Sequence, residues 1–343
     1  MSNKTPSKLT IVKNTQPPIQ KYRLYVQLFF VAICIWIGID FIRFVGHLEQ
    51  YQQGAELYRP PGVEAFLPIS ALMSFVYFVQ NGMVHPVHPA GFFIFAGIII
   101  MSLVAGKSFC SWVCPVGFLS EYAGEFGGVV FRKKIAMPKV LDIPLRAVKY
   151  LLLGFFAVSV LTMSVNELRV FLYSDYNTIA DIKLYEFFRN ITPFAFYTLL
   201  ALFALSLVFR NFWCRYLCPY GALLGLTGLL SPNKITRNKK TCIDCSLCDK
   251  ACPSRIPVSK RVRVWSDECT SCMQCIDICP VNETLEYKVM LAKTPLHKKW
   301  VAAGLVIALL SLMAYGMLSG QWNNKIPAST YKEIYENREA VSH

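Results

Sequence analysis

The chain has no nucleotide-binding fingerprint. No G-x-x-x-x-G-K-[ST] run occurs, and the glycine-rich stretch Ala123–Gly128 lacks both the G-x-G-x-x-G order and a preceding strand; P-loop and nicotinamide chemistry are thereby set aside. Helix–turn–helix and kinase motifs are missing as well, so a sensor would have no output module. Acids are scarce, 21 against 35 Lys and Arg. The net charge of +14 does not point to nucleic acid, because no recognition motif accompanies the basic residues. Residues 1–23 contain five basic residues and no acid, with Pro17-Pro18. They read as a disordered cytoplasmic arm, not a signal peptide.

What the sequence has in quantity is apolar surface. Hydrophobic residues make up 54% of the 343, and mean hydropathy is positive, which a single soluble domain rarely shows. Five runs approach the roughly 20 residues needed to cross a hydrocarbon core: Leu24–Val45, Ala90–Phe109, Ala147–Val165, Ile191–Phe209 and Trp300–Leu318. Basic residues alternate between the intervening segments: seven in 107–149 and fifteen in 210–299, but one in 47–89 and three in 166–190. The positive-inside rule then places the N-terminus inside and the C-terminus outside, with the basic loops facing anionic lipid. Phe66–Val79 is apolar but short, and reads as an interfacial or re-entrant helix on the outer side.

Twelve of the thirteen cysteines fall in four clusters. Cys34, in the first run, reads as a small apolar residue. Cys242, Cys245, Cys248 and Cys252, followed by Pro253, repeat as Cys269, Cys272, Cys275 and Cys279, followed by Pro280. Each is C-x2-C-x2-C-x3-C-P, the spacing of two-cluster bacterial ferredoxins, in which the fourth cysteine ligates the other cluster. One [4Fe–4S] cluster is therefore expected at Cys242, Cys245, Cys248 and Cys279. A second is expected at Cys269, Cys272, Cys275 and Cys252. Zinc sites pair C-x2-C units and do not use this doubled triplet, and a cytoplasmic segment keeps its thiols reduced. Between the halves, Lys260, Arg261 and Arg263 read as solvated loop charges, with docking of an acidic redox partner as the alternative.

The other two clusters, FCSWVCPVG and WCRYLCPYG, end the second and fourth runs and place Cys110 and Cys114 in the same offset as Cys214 and Cys218. Residues four apart share a helix face, and Pro115 and Pro219 should end or kink each helix at its second cysteine. Gly117 and Gly221 would then allow the turn. A duplicated hairpin, related by an axis along the membrane normal, would bring the four thiols together at the inner leaflet. They would bind a third iron–sulfur cluster or another metal, act as a dithiol relay, or pack as apolar helix ends. On the outer side, His85 and His88 are candidates for quinone, haem or metal binding, against a structural role. Asp40 and Arg43 read as an interfacial ion pair.

With RPPGVEAFLPISALM, LDIPLRAVKYLLL, SPNKITRN and CIDCSLCDKACPSRIPV, these motifs span nearly the whole chain. The pattern resembles the NapH/NosR/CcoG group of membrane polyferredoxins and, more nearly, its YccM-type electron-transport members. The resemblance implies a bacterial inner-membrane electron carrier with cytoplasmic [4Fe–4S] clusters. A fifth span departs from the NapH pattern of four, and residues 319–343 are too few for the folded outer domain of CcoG-like proteins.

The expected fold is thus a polytopic α-helical membrane protein of about five spans, built on a duplicated hairpin, with an inserted α+β two-cluster bacterial-type ferredoxin unit. Its parts are an arm (1–23), a membrane domain (24–230), the ferredoxin unit (231–298), a fifth helix (299–320) and an outer tail (321–343). The expected function is an electron carrier, or an oxidoreductase subunit, relaying electrons between a cytoplasmic partner protein and the quinone pool or a respiratory complex. The alternative is a metal or thiol reductase in the maturation of a respiratory enzyme.

Overall fold

The computed structural model describes residues 12–50, 58–132, 135, 137–289 and 298–340, the side chains at 139, 298, 299 and 328 excepted. Three helices are long and apolar enough to cross a membrane: α1 (Gln20–Glu49), α5 (Lys139–Leu161, apolar from Val140) and α10 (Lys298–Leu318, apolar from Trp300). A fourth candidate is broken: α7 (Ala180–Arg189) and α8 (Pro193–Val208) meet at 85°. Thr192 caps α8 through its hydroxyl and Pro193 opens it, so the chain turns there and does not continue α7. The second expected span is a 17-residue helix, α3 (Pro89–Ala105). Gly106 stops it with a φ of +70°, a conformation that glycine adopts without penalty. Described helices therefore supply three or four candidate spans by length.

α3 is apolar all round and is the buried axis of the bundle. α10, α2 (Pro68–Asn81) and α9 (Pro219–Leu229) pack on it. α4 (Pro115–Val130) packs on α8, and α6 (Val165–Leu172), closed by a capping box of Ser164 and Glu167, packs on α2. The outward faces are apolar: Leu151, Phe155, Phe194, Trp300 and Leu318 all stand exposed, as side chains facing lipid would be.

The ferredoxin unit hangs from one end of this bundle. Its sheet is one antiparallel pair, β1 (Asn233–Arg237) and β2 (Leu285–Val289), in register from Asn233 opposite Val289 to Arg237 opposite Leu285. Ile235, Val264, Met273 and Tyr287 join Ile98, Met101, Trp112 and Leu224 in one continuous apolar core. The soluble unit is thus fused to the bundle, and the Tyr287 hydroxyl donates to the Ala105 carbonyl at 3.1 Å.

The arm departs from expectation. Residues 12–16 lie along the ferredoxin unit: the Asn14 amide donates to Pro280 O at 2.8 Å, and the Asn282 amide donates to Val12 O at 2.9 Å. A polar stretch with little to bury is ordered here by backbone hydrogen bonds to a partner edge, which composition does not reveal. The rest of the expected disordered arm, residues 1–11, lies outside the described residues.

The far end of α1, about 45 Å along, is closed by a buried ionic network. Arg59 pairs with Glu64 and with Asp181, both at 2.6 Å, and all three side chains are at most 3% exposed. Burial opposes the charge on Arg59, and Asp181 and Glu64 more than offset it, so its pKa is raised. Burial would raise Glu64, but Arg59 and His88 hold it below the usual range. The tail is folded here as α11 (Ala328–Glu336): Tyr331 packs on Phe44, and Lys332 donates to Leu48 O at 3.1 Å. Asp40 and Arg43 form the expected surface pair at 3.6 Å.

Two outcomes follow from this packing. A Cβ on Gly127 would lie 1.8 Å from the Leu207 carbonyl oxygen, so Gly127→Ala should separate α4 from α8 and cost about 1–3 kcal/mol, read as a lower midpoint of unfolding in detergent. His85 is buried and its pKa is lowered to about 3, chiefly by burial and then by His88. The unfolded chain takes up that proton first, so stability is lost as pH falls below about 6.5. His85→Gln should flatten the loss between pH 7 and pH 5 in the same unfolding measurement.

Candidate iron–sulfur sites and the membrane cysteines

Two small cavities in the ferredoxin unit are lined by cysteine. Cys242, Cys245, Cys248 and Cys279 line one; Cys252, Cys269, Cys272 and Cys275 line the other. Each takes three thiols from one motif and the fourth from the other. The loops share a backbone device: Asp244 and Ser246, flanking Cys245, have φ of +53° and +55°, and Ser271 and Met273, flanking Cys272, have +49° and +61°. Left-handed residues beside each second cysteine curl the loop so that its amides can face a bound anion. Sequence reasoning missed this, because none of the four is glycine.

The donor chemistry fits iron–sulfur clusters. Burial pushes the Cys269 thiol up to about 12 and the Cys248 thiol to about 11, so thiolates there need a cationic centre to hold them. Among the described residues no three His, Cys, Asp or Glu side chains converge on one ion. Four thiols from two motifs line each cavity, the number of ligands a [4Fe–4S] cluster takes. The two lobes differ in access: Cys245 is exposed, while Cys272 and Cys275 are buried.

The membrane motifs depart in detail from one helix face. Phe109–Trp112 forms a single turn, and Cys114 is extended, at the N-cap of α4 with Pro115 first in the helix. Trp213–Leu217 is a π-helical turn, and Cys218 caps α9, its Sγ accepting the Gly221 amide at 3.2 Å. Proline breaks each helix at its second cysteine as expected, but the fragments re-form beyond it, so i,i+4 spacing does not set the geometry. Gly117 lies inside α4; a Cβ there would sit 2.1 Å from Cys110 O. Its role is close approach, not the expected turn. Cys110 and Cys214 line one cavity with Lys107, Glu121, Arg215 and Glu268, and Cys110, Cys114, Cys214 and Cys218 lie within one another's electrostatic reach.

That cavity adjoins the buried thiol-lined one through a seam of hydrogen bonds. Ser111 Oγ donates to Thr270 O at 2.6 Å, Trp112 Nε1 to Ser271 O at 3.1 Å, and Arg215 to Ser254 O at 2.9 Å. Lys149 of α5 pairs with Glu268 at 2.5 Å, fully buried, and Tyr150 bonds Asp267 beside it. None of these partners was singled out by motif; a lysine within an apolar helix was the available signal.

The remaining candidates lie elsewhere. His88 has both ring nitrogens engaged, Nδ1 with Arg59 at 3.0 Å and Nε2 with Asn177 O at 2.5 Å. His85 Nδ1 accepts the Val87 amide at 3.2 Å, while its Nε2 has no partner and the ring lies edge-to-face with Tyr173. Arg261 donates to Trp265 O, and Arg263 donates to Pro232 O and lies over the Trp265 ring; both brace the loop. Cys34 is half-buried in α1.

Two family models cover the segments that contain the cysteine motifs. A 4Fe-4S binding domain family matches residues 87–138 and 191–238, the segments holding the membrane motifs, and a 4Fe-4S dicluster domain family matches 234–280. YccM of Escherichia coli (strain K12), provisionally named for electron transport, is 40% identical over 94% of this chain and 92% of its own length. The ferredoxin-type protein NapH of the same strain is 31% identical over 53% of this chain and 62% of its own. The methylamine utilization ferredoxin-type protein MauN of Paracoccus denitrificans (strain Pd 1222) is 29% identical over 44% and 50%. No solved structure matches significantly. On these matches the chain belongs to the YccM-type electron-transport proteins of the NapH-type polyferredoxin family.

Proposed function

We propose that the chain is a multi-pass carrier of the bacterial inner membrane that relays single electrons between a cytoplasmic partner protein and the quinone pool or a respiratory complex. In this reading five spans, two of them made of shortened or bent helices, form a duplicated hairpin plus α10. The N-terminus and ferredoxin unit face the cytoplasm and α11 the periplasm. Cys242, Cys245, Cys248 and Cys279 hold one [4Fe–4S] cluster; Cys269, Cys272, Cys275 and Cys252 hold the other. Cys110, Cys114, Cys214 and Cys218 hold a third iron–sulfur group. Such clusters take up and release one electron each when bound.

The observation that carries the reading is the seam. Neighbours of Cys110 and Cys214 bond directly to neighbours of Cys269, Cys272 and Cys252, through Ser111, Trp112 and Arg215. The buried lobe is thereby coupled to the membrane thiols, and the lobe with exposed Cys245 is left to meet a soluble partner. His88, with both nitrogens committed, is read as a structural member of the Arg59 network. His85 carries its proton on Nε2 in this arrangement, so it suits a hydrogen-bond acceptor such as a quinone carbonyl better than a metal or haem.

One observation favours a second reading, a thiol or metal reductase in maturation. Cys114 and Cys218 both sit at helix N-termini, where backbone amides without helical partners can face a reacting sulfur.

Iron and acid-labile sulfide per chain separate the two. Anaerobically purified protein should hold about twelve irons, falling to about eight when Cys110, Cys114, Cys214 and Cys218 are changed to serine. About eight in both would reject the third cluster and leave the reductase reading.

A further inference from the structure

The cavity that Cys110 and Cys214 share is also lined by four charged side chains, Lys107, Glu121, Arg215 and Glu268. Three of the four are compensated within the protein. Glu121 accepts from Arg23, from Arg210 at 3.2 Å and from Gln274 at 2.7 Å. Arg215 donates to Asp142 through Nε at 3.0 Å and Nη2 at 3.2 Å. Glu268 pairs with Lys149 at 2.5 Å. Lys107 differs. It is only 3% exposed, and its ammonium has no hydrogen-bond or ion-pair partner among the described residues.

The backbone keeps it there. Gly106 turns the chain into Lys107 at the foot of α3, and a Cβ on Gly228 of α9 would lie 3.0 Å from the Lys107 amide nitrogen. The main chain at 107 is thus packed against α9. Burial works against the charge on Lys107, while Cys110, Glu268, Cys218 and Cys214 work for it. Glu268 is already engaged by Lys149, so the thiol sulfurs are what remain to face the ammonium. A buried cation is costly unless an anion meets it, and a neutral thiol is no anion. An iron–sulfur cube on four thiolates is an anion in both redox states and gains one negative charge on reduction.

We propose that Lys107 is the countercharge of the membrane thiol site. Its ammonium faces the group held by Cys110, Cys114, Cys214 and Cys218, stabilises the reduced form more than the oxidised form, and so raises that group's potential. Water screens the interaction little, because both charges are buried. The effect biases the resting place of an electron in the relay toward the membrane thiols. The countercharge role rests on the third iron–sulfur group proposed above and adds to it the residue that sets its potential.

The test is a redox titration followed by electron paramagnetic resonance on the full chain, purified anaerobically, with iron counted on the same samples. The transition lost when Cys110, Cys114, Cys214 and Cys218 become serine marks the membrane group. Lys107→Met keeps the volume and removes the charge. In that variant the marked transition should move to lower potential by about tenfold in its one-electron equilibrium constant, about 59 mV, and the ferredoxin transitions by less. Lys107→Arg should stay near wild type. An unmoved transition at about twelve irons, an equal shift in Lys107→Arg, or a larger shift in a ferredoxin transition would each overturn the proposal. If Lys107→Met holds about eight irons while Lys107→Arg holds about twelve, the charge is needed to retain the anion and the proposal stands; loss in both variants overturns it. About eight irons in wild type would remove the third group itself and the countercharge role with it, so the two failures are distinguishable.

Discussion

Each thiol-lined cavity in the ferredoxin unit takes its fourth cysteine from the other motif, and much of the structure follows from that exchange. Cys279 and Cys252 cross between the lobes, so neither lobe closes without the other. The two-stranded sheet ties the first residues of the unit to the last, and the stretch 12–16 runs beside Pro280 and Asn282. A unit with so little sheet has few ladder hydrogen bonds to hold it. Its support comes from the core it shares with α3 and α9.

The seat on the bundle is specific because it is polar in places where polarity is costly. Burying Lys149 and Glu268 together costs more desolvation than an apolar pair would, and is worthwhile only in one geometry. Ser111, Trp112 and Arg215 add hydrogen bonds that a slipped loop could not make. Gly106 lets the foot of α3 come close: a Cβ there would lie 3.0 Å from Ser271 Oγ. Unique placement of one cysteine set against another matters more here than stability, since electron transfer depends on separation.

The cysteine spacing made the ferredoxin unit legible, down to which thiols share a cavity, because ligand geometry is local and leaves a periodic trace. Long apolar runs revealed α1 and α10 for the same reason. What stayed hidden was set by partners distant in sequence. The polar stretch 12–16 is ordered by an edge 265 residues away in chain order, as in the bond from Asn14 to Cys279. Residues 328–336 read only as part of an outer tail until Tyr331 meets Phe44. The left-handed backbone at Asp244, Ser246, Ser271 and Met273 carries no glycine to announce it. Gly117 was legible as glycine, yet its reason, a carbonyl on the preceding turn, is visible only in three dimensions.

The two ends of the bundle are built on opposite electrostatic plans. At the ferredoxin end, thiols, Lys107, Arg215 and Arg210 gather around cavities, which leaves room for groups that carry charge in and out. At the far end, each of the three Arg59 nitrogens has a partner, on Asp181, Glu64 and His88, and the other ring nitrogen of His88 is engaged by the Asn177 carbonyl. A network so closed resists changes of charge, because altering one member leaves another buried and unpaired. Redox chemistry needs sites whose charge can change, and structural locks need sites whose charge cannot. By that criterion the working end of the chain is the ferredoxin end. The hydrocarbon core is about 30 Å thick, so on the proposed reading an electron leaving for an acceptor on the other face must be carried by something mobile in the bilayer and not by this chain's own side chains.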